Sequence, residues 1–179
     1  SRNAAQRPFG FVTSKNFYGM DIQPFAVELA KVTMMLAHKL AIDELHVTEN
    51  ALPLDNLDAN FSVGDALIQA DGTRPSWPKV DVIIGNPPFI GAKLLKPLLG
   101  ADYVKAVRRA YPEVPGMADY CVHWFRRAHD QLPPCTAQDP VAGRAGLVGT
   151  QNIRNNASRI GGLDAICADG TVVDAVDNQ

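Results

Sequence analysis

Residues 80–89 read VDVIIGNPPF. The run at residues 80–84, apolar except for Asp81, predicts a central parallel strand that is buried on both faces. After Gly85 come a polar amide, two prolines and an aromatic ring, in Asn86, Pro87, Pro88 and Phe89. We call these four residues the NPPF loop. In open α/β sheets, ligands bind at the carboxyl ends of the strands, so the sequence predicts a binding loop at this edge.

The residue types of the NPPF loop suit one kind of substrate, a planar nitrogen whose lone pair is delocalised. The side-chain oxygen of Asn86 and the carbonyl of Pro87 can accept hydrogen bonds from its two N–H groups. Paired prolines fix the backbone, so both acceptors are held in place beforehand. Phe89 offers a flat face on which a base can stack. The alternative interpretation is a Pro-Pro turn that ends a core strand.

Strands and helices alternate along the chain. The predicted strands are residues 17–22, 60–63, 80–84, 144–150 and 171–176, and the predicted helices begin at Pro24 or span 101–111, 118–132 and 163–168. This order predicts an α/β fold with a mostly parallel sheet and flanking helices.

The helix that begins at Pro24 has an apolar stripe. Its members recur at steps of three and four residues, and we expect this face to be buried. They are Phe25, Leu29, Val32, Leu36 and Leu40.

Acidic residues end two further strands. Asp21 ends the first predicted strand and Asp65 follows the second. A carboxylate at the position of Asp21 can bind both ribose hydroxyls of a nucleoside, Ile22 can pack on an adenine ring, and Asp65 can accept from an adenine amino group. Either aspartate alone is equally well read as a cap of a helix or turn. Together with Asn86, they predict three polar strand ends along one edge of the sheet.

Composition sets the class of protein. The chain has 179 residues with 46% hydrophobic and 20% charged residues, which is typical of one ordinary globular domain. The net charge of −2 argues against a complete DNA-binding protein, because phosphate contacts need Lys and Arg. We expect no membrane span and no metal site, since the three cysteines have no metal-ligand spacing. Scattered cysteines and the lack of a signal peptide favour a cytoplasmic protein.

The order of these motifs resembles that of class I S-adenosylmethionine-dependent N6-adenine DNA methyltransferases. The resemblance implies a Rossmann-like class I methyltransferase fold and S-adenosyl-L-methionine as the cofactor. It also implies that the NPPF loop binds the target adenine as the catalytic segment. The cofactor-binding residues that it implies are Asp21, Ile22, Asp65, Ala66 and Asn86.

Further segments resemble the MmeI-like branch, which comprises single-chain restriction–modification enzymes with relatives in phage-defence systems. These segments are residues 88–93, 118–125 and 143–154, and the resemblance extends over residues 17–179. It implies that the complete protein binds DNA, methylates a flipped adenine and is site-specific.

Two departures from the family pattern predict an internal fragment. No Gly-x-Gly loop precedes Phe17, where the family cradles the methionine part of the cofactor, and no target-recognition region is recognisable. We therefore expect residues 1–179 to be a partial catalytic domain without the first strand and Gly-rich loop, with residues 1–16 as an unassigned lead-in. We also expect the isolated chain to bind the cofactor poorly and to be inactive, with DNA bound through the full-length parent.

Several alternatives stay open at this point. Enzymes that methylate an RNA base or a protein glutamine use the same loop, and cytosine amino methylation is a further option. A different class is a non-catalytic scaffold or nucleic-acid-binding remnant. The DNA recognition sequence, a fused nuclease domain and the oligomeric state are not encoded in these motifs.

Overall fold

The computed structural model describes residues 12–44, 56–138 and 142–176. The chain divides into two compact units, Ser1–Ala66 and Leu67–Gln179. Each unit contains one pair of parallel strands. The α/β class and the parallel pairing predicted from the sequence are thus confirmed. The described strands form two pairs, however, where the sequence predicts a single sheet.

The first unit is built on strands β1 (Gly19–Asp21) and β2 (Phe61–Val63) and on helix α1 (Pro24–Glu44). Gly19 pairs with Phe61 and Asp21 with Val63. Helix α1 begins at Pro24 as predicted. The lead-in predicted at residues 1–16 lies mostly outside the described residues, and its end forms a 3-10 turn at Ser14–Asn16.

The buried face of α1 differs from the predicted one. The stripe from Phe25 to Leu40 is exposed, with Phe25 79% and Leu36 60% accessible. The core contains Val27 instead, which packs with Leu57 and Phe61. Ala30 and Met34 of α1 also pack against this cluster. At roughly 100° per residue, the stripe of Val27, Ala30 and Met34 lies nearly opposite the predicted one. The prediction was wrong because α1 carries apolar residues at helical spacing on both sides.

The second unit has strands β3 (Val82–Gly85) and β4 (Arg144–Leu147), which pair in parallel from Val82 with Arg144 to Gly85 with Leu147. Its helices are α2 (Leu95–Leu99), α3 (Ala101–Ala110), α4 (Val122–Gln131), α5 (Asn156–Arg159) and α6 (Ala165–Asp169). A π-helical segment, Ile160–Asp164, joins α5 to α6, and 3-10 turns occupy Ala92–Leu94 and Gln151–Arg154.

Two strand predictions in this unit are corrected. Val82 and Ile84 of β3 are exposed, although an apolar strand was expected to be buried on both faces. In the described sheet β3 has β4 as its neighbour, so it is not a central strand. Residues 171–176 contain no strand and are exposed. Their Thr and Val residues favour β structure, but a strand also needs a partner that the described chain does not supply there.

The core of the second unit lies among α2, α3, α4 and the segments that join them. Tyr111 is fully buried, and its hydroxyl donates a hydrogen bond to the carbonyl of Leu67 at 3.0 Å. The helix predicted over residues 118–132 spans Val122–Gln131, and the segment buries Ala118, Cys121, Val122 and Ala128. Tyr120 belongs to this core, and its N–H binds the residue that follows the NPPF loop.

Candidate functional site

The NPPF loop leaves the carboxyl end of β3 and is anchored at both ends. Before the loop, the carbonyl of Gly85 accepts the backbone N–H of Val148 at 3.0 Å. After it, the carbonyl of Ile90 accepts the backbone N–H of Tyr120 at 2.9 Å. These two hydrogen bonds flank the four loop residues directly. The predicted rigid loop at a strand end is therefore present.

Within the loop, the polar and aromatic groups face solvent. Asn86 is exposed, Pro87 is buried, and Phe89 is 51% accessible. Among the described residues, neither the Asn86 side chain nor the Pro87 carbonyl has a hydrogen-bond partner. The exposed Asn86 side chain is thus available to a molecule that binds at this edge, and the carbonyl of the buried Pro87 is an acceptor without an internal partner in the described chain.

A polar cluster around Asp119 lies behind the loop. One carboxylate oxygen of Asp119 accepts the backbone N–H of Ala92 at 3.3 Å. The other accepts the hydroxyl of Thr150 at 3.2 Å and the side-chain amide of Asn152 at 2.9 Å. No role was predicted for these residues, because residues 27 to 33 positions apart show no sequence pattern that indicates contact. Their only signal was that they fall in segments that resemble the MmeI-like branch.

Cys121 neighbours this cluster but does not add a nucleophile to it. Burial raises the pKa of the Cys121 thiol, a backbone hydrogen bond with Thr150 lowers it, and the charge of Asp119 raises it further. The net shift is upward, so the thiol stays protonated at neutral pH. The thiolate is the reactive form, so the protonated Cys121 is not a nucleophile. Its side chain is a buried part of the core.

In the first unit, Asp21 and Asp65 lie at the same edge of a parallel pair. Asp21 ends β1, and Asp65 follows β2 by two residues. The carbonyl of Asp21 accepts the N–H of Gly64 at 2.9 Å. Its carboxylate accepts the N–H of Gln23 at 2.7 Å, so Asp21 also caps the turn into α1. Ile22 beside it is 64% accessible.

The predicted site residues therefore fall into two groups. One is Asp21 and Ile22 with Asp65 and Ala66 in the first unit, and the other is the NPPF loop in the second. That Asp21, Asp65 and Asn86 lie along one common edge of a sheet stays a prediction.

In the part of the chain that the structure describes, no group of three or more His, Cys, Asp or Glu residues could hold a metal ion. No helix there combines the length and the apolar character that crossing a membrane requires.

Comparison with known protein families gives a match over most of the chain. The family described as "MmeI, DNA-methyltransferase domain" matches residues 2–159. This range contains the NPPF loop, both acidic strand ends and the Asp119 cluster up to Asn152. No curated protein matches the chain.

Proposed function

Because the chain belongs to the family of MmeI DNA-methyltransferase domains, we propose that the complete protein methylates the N6 amino group of adenine in DNA, with S-adenosyl-L-methionine as the methyl donor. The membership supports a DNA methyltransferase. The adenine target, the cofactor and a Rossmann-like class I methyltransferase fold are the proposal.

The observation that carries the proposal is the pair of acceptors, without a hydrogen-bond partner in the described chain, on an anchored loop. The Asn86 side chain and the Pro87 carbonyl have no partner among the described residues, although the loop itself is held at Gly85 and Ile90. Acceptors that are fixed before the substrate arrives need no reorganisation during the reaction. Two acceptors match an amino group, which has two N–H donors.

These acceptors address the chemical difficulty of the reaction. The lone pair of an exocyclic amino nitrogen is delocalised into the ring, so the nitrogen is a poor nucleophile. Hydrogen bonds to Asn86 and Pro87 draw the nitrogen toward tetrahedral geometry and localise the lone pair. No general base is required, because the proton can leave to water after the methyl group has been transferred.

Phe89 completes the contact with the target. Its ring is half exposed beside Asn86, where it can stack on a base that has been flipped out of the duplex. Stacking on an aromatic side chain contributes about 1–3 kcal/mol per base. This contribution offsets part of the cost of unstacking the base.

The residues of the first unit fit the adenosine part of the cofactor. Asp21 presents a carboxylate with one oxygen bonded to Gln23, and Ile22 presents an exposed apolar side chain next to it. Asp21 would hold the ribose hydroxyls, while Ile22, Asp65 and Ala66 would contact the adenine ring. Asn86 would border both cofactor and target. When bound, the cofactor supplies a methyl group on a positively charged sulfur.

The test uses the complete product of the gene. The protein is incubated with methyl-labelled cofactor and duplex DNA, and the DNA is digested to nucleosides. We expect label in N6-methyladenine. RNA and a protein with exposed glutamines are supplied in parallel. Label in N4-methylcytosine, in RNA or in protein glutamine would show that the substrate is not the adenine amino group. No transfer to any of these substrates would refute the proposal.

The variant Asn86→Ala tests the loop. We expect the methylation rate to fall by at least about 100-fold, as when a preorganised hydrogen-bonding group is removed from an active site, with cofactor affinity changed far less. The exposed Asn56→Ala is the matched control. An unchanged rate in Asn86→Ala would exclude the role assigned to Asn86.

A further inference from the structure

Asp119 joins the two segments that anchor the NPPF loop. Ala92 follows Ile90, whose carbonyl anchors the end of the loop, by two residues. Thr150 likewise follows Val148 by two residues, and the N–H of Val148 anchors the start. The carboxylate of Asp119 accepts from both Ala92 and Thr150, so it closes a ring of contacts around the loop.

The surroundings of Asp119 favour a role beyond stability. The residue is only 8% exposed, and its own N–H donates to the buried hydroxyl of Ser158 at 3.0 Å. In the described part of the chain, the groups that contact its carboxylate are neutral donors. Burying a carboxylate without a cationic partner is costly. Such local costs are expected where geometry is needed for function.

We infer that Asp119 is a positioning residue: it fixes the NPPF loop in the arrangement in which Asn86 and Pro87 present their acceptors. It acts through Ala92 on one side and through Thr150 and Asn152 on the other. This role rests on the proposed function, since it concerns the same reaction.

A reciprocal exchange of the two side chains tests the inference. Asp119→Asn replaces one of the two carboxylate oxygens by an N–H₂ group. Depending on the orientation of the amide, the donors of Thr150 and Asn152 then meet either another donor or the one remaining acceptor. Asn152→Asp places two carboxylates against each other. The double variant restores a donor–acceptor pair with its direction reversed. Asp102→Asn, an exposed residue at the start of α3, is the matched control.

Two measurements are made on the complete gene product. The first is kcat and KM for DNA methylation. The second is the ¹⁹F NMR signal of protein with 4-fluorophenylalanine at position 89. Each single variant should lower kcat by at least about tenfold, should change KM for the cofactor by less than about threefold, and should broaden or split the signal. The double variant should recover most of kcat and a single sharp line, and the control should match the wild type.

Other results overturn the inference. It is wrong if the single variants keep the wild-type kcat and signal, or if the double variant is no better than the singles. Should Asp119→Asn fail to fold, Asn152→Ala removes one donor at an exposed residue, and an unchanged kcat and signal there refute the role. A wild type without methylation activity refutes the proposed function, whereas the ¹⁹F signal still decides whether Asp119 positions the loop.

Discussion

The Nδ1 atom of His123 lies 3.0 Å from the carbonyl oxygen of Tyr120, inside the core of the second unit. Because a carbonyl only accepts, Nδ1 carries the hydrogen and donates it. In the neutral ring, Nε2 is then a bare acceptor, and it is buried without a partner among the described residues. Protonation at Nε2 would leave a buried N–H with nothing to receive it.

This relationship predicts acid sensitivity. Burial lowers the pKa of His123 from its usual value of 6.5; the Tyr120 carbonyl and Glu113 oppose the shift, and Arg108 and Arg74 add to it. The unfolded chain takes up a proton near pH 6.5 and the folded chain only at lower pH. The free energy of unfolding should therefore hold its full value above pH 6.5 and fall as the pH drops below it, by at most about 1.4 kcal/mol per pH unit.

Urea unfolding at a series of pH values from 7.5 to about 5 measures this dependence. In His123→Gln the decrease between pH 6.5 and 5 should shrink, because the titrating group is gone. If the free energy of unfolding of this variant decreases as much as that of the wild type, groups other than His123 cause the acid sensitivity.

Adjacent glycines in the π-helical segment should respond differently to alanine. A Cβ atom at Gly161 would lie 2.6 Å from Cδ of Pro115, whereas one at Gly162 would meet Ile153 and Val122 at 3.4 Å. In a helix interior, alanine is favoured over glycine by about 1 kcal/mol. We expect Gly162→Ala to be neutral or stabilising, and Gly161→Ala to destabilise by about 1–3 kcal/mol through overpacking. Thermal unfolding of the two variants measures this difference in stability. Equal effects would show that Pro115 does not lie against Gly161.

The orientation of α1 gives a second matched pair. Val27→Ala removes a buried side chain and should cost about 2 kcal/mol. Leu36→Ala truncates an exposed side chain and should change the free energy of unfolding by less than about 0.5 kcal/mol. The reverse order would show that the stripe predicted from the sequence is the buried one.

The same helix shows how far the sequence predicts the fold. Pro24 and the helical spacing are local signals, and they predicted α1 correctly. Which face is buried depends on Phe61 and Leu57, which come from a distant segment. Spacing could not choose between two apolar stripes. The strand predicted at residues 171–176 is absent for a related reason, since the β propensity of a segment does not provide it with a neighbouring strand.

The site divides in the same way. The NPPF loop was predicted from adjacent residues, because a strand, an amide and two prolines define it within one stretch. The Asp119 cluster combines residues from three separate segments, and hydrogen bonds between such segments leave no spacing signal. The sequence therefore predicted the loop with its exposed amide and ring, but not the carboxylate that contacts the segments on either side of it.

Phe89 offers the most direct test of how the target is held. Its ring is half exposed, so Phe89→Leu should change the free energy of unfolding by less than about 0.5 kcal/mol. If the ring stacks on a flipped base, its loss should lower kcat/KM for DNA methylation by about 5- to 150-fold, the equivalent of about 1–3 kcal/mol. Phe89→Tyr keeps the ring and should retain most of the activity. Equal activity of the Leu and Tyr variants would show that shape and apolar character suffice, and that the ring does not stack on the target.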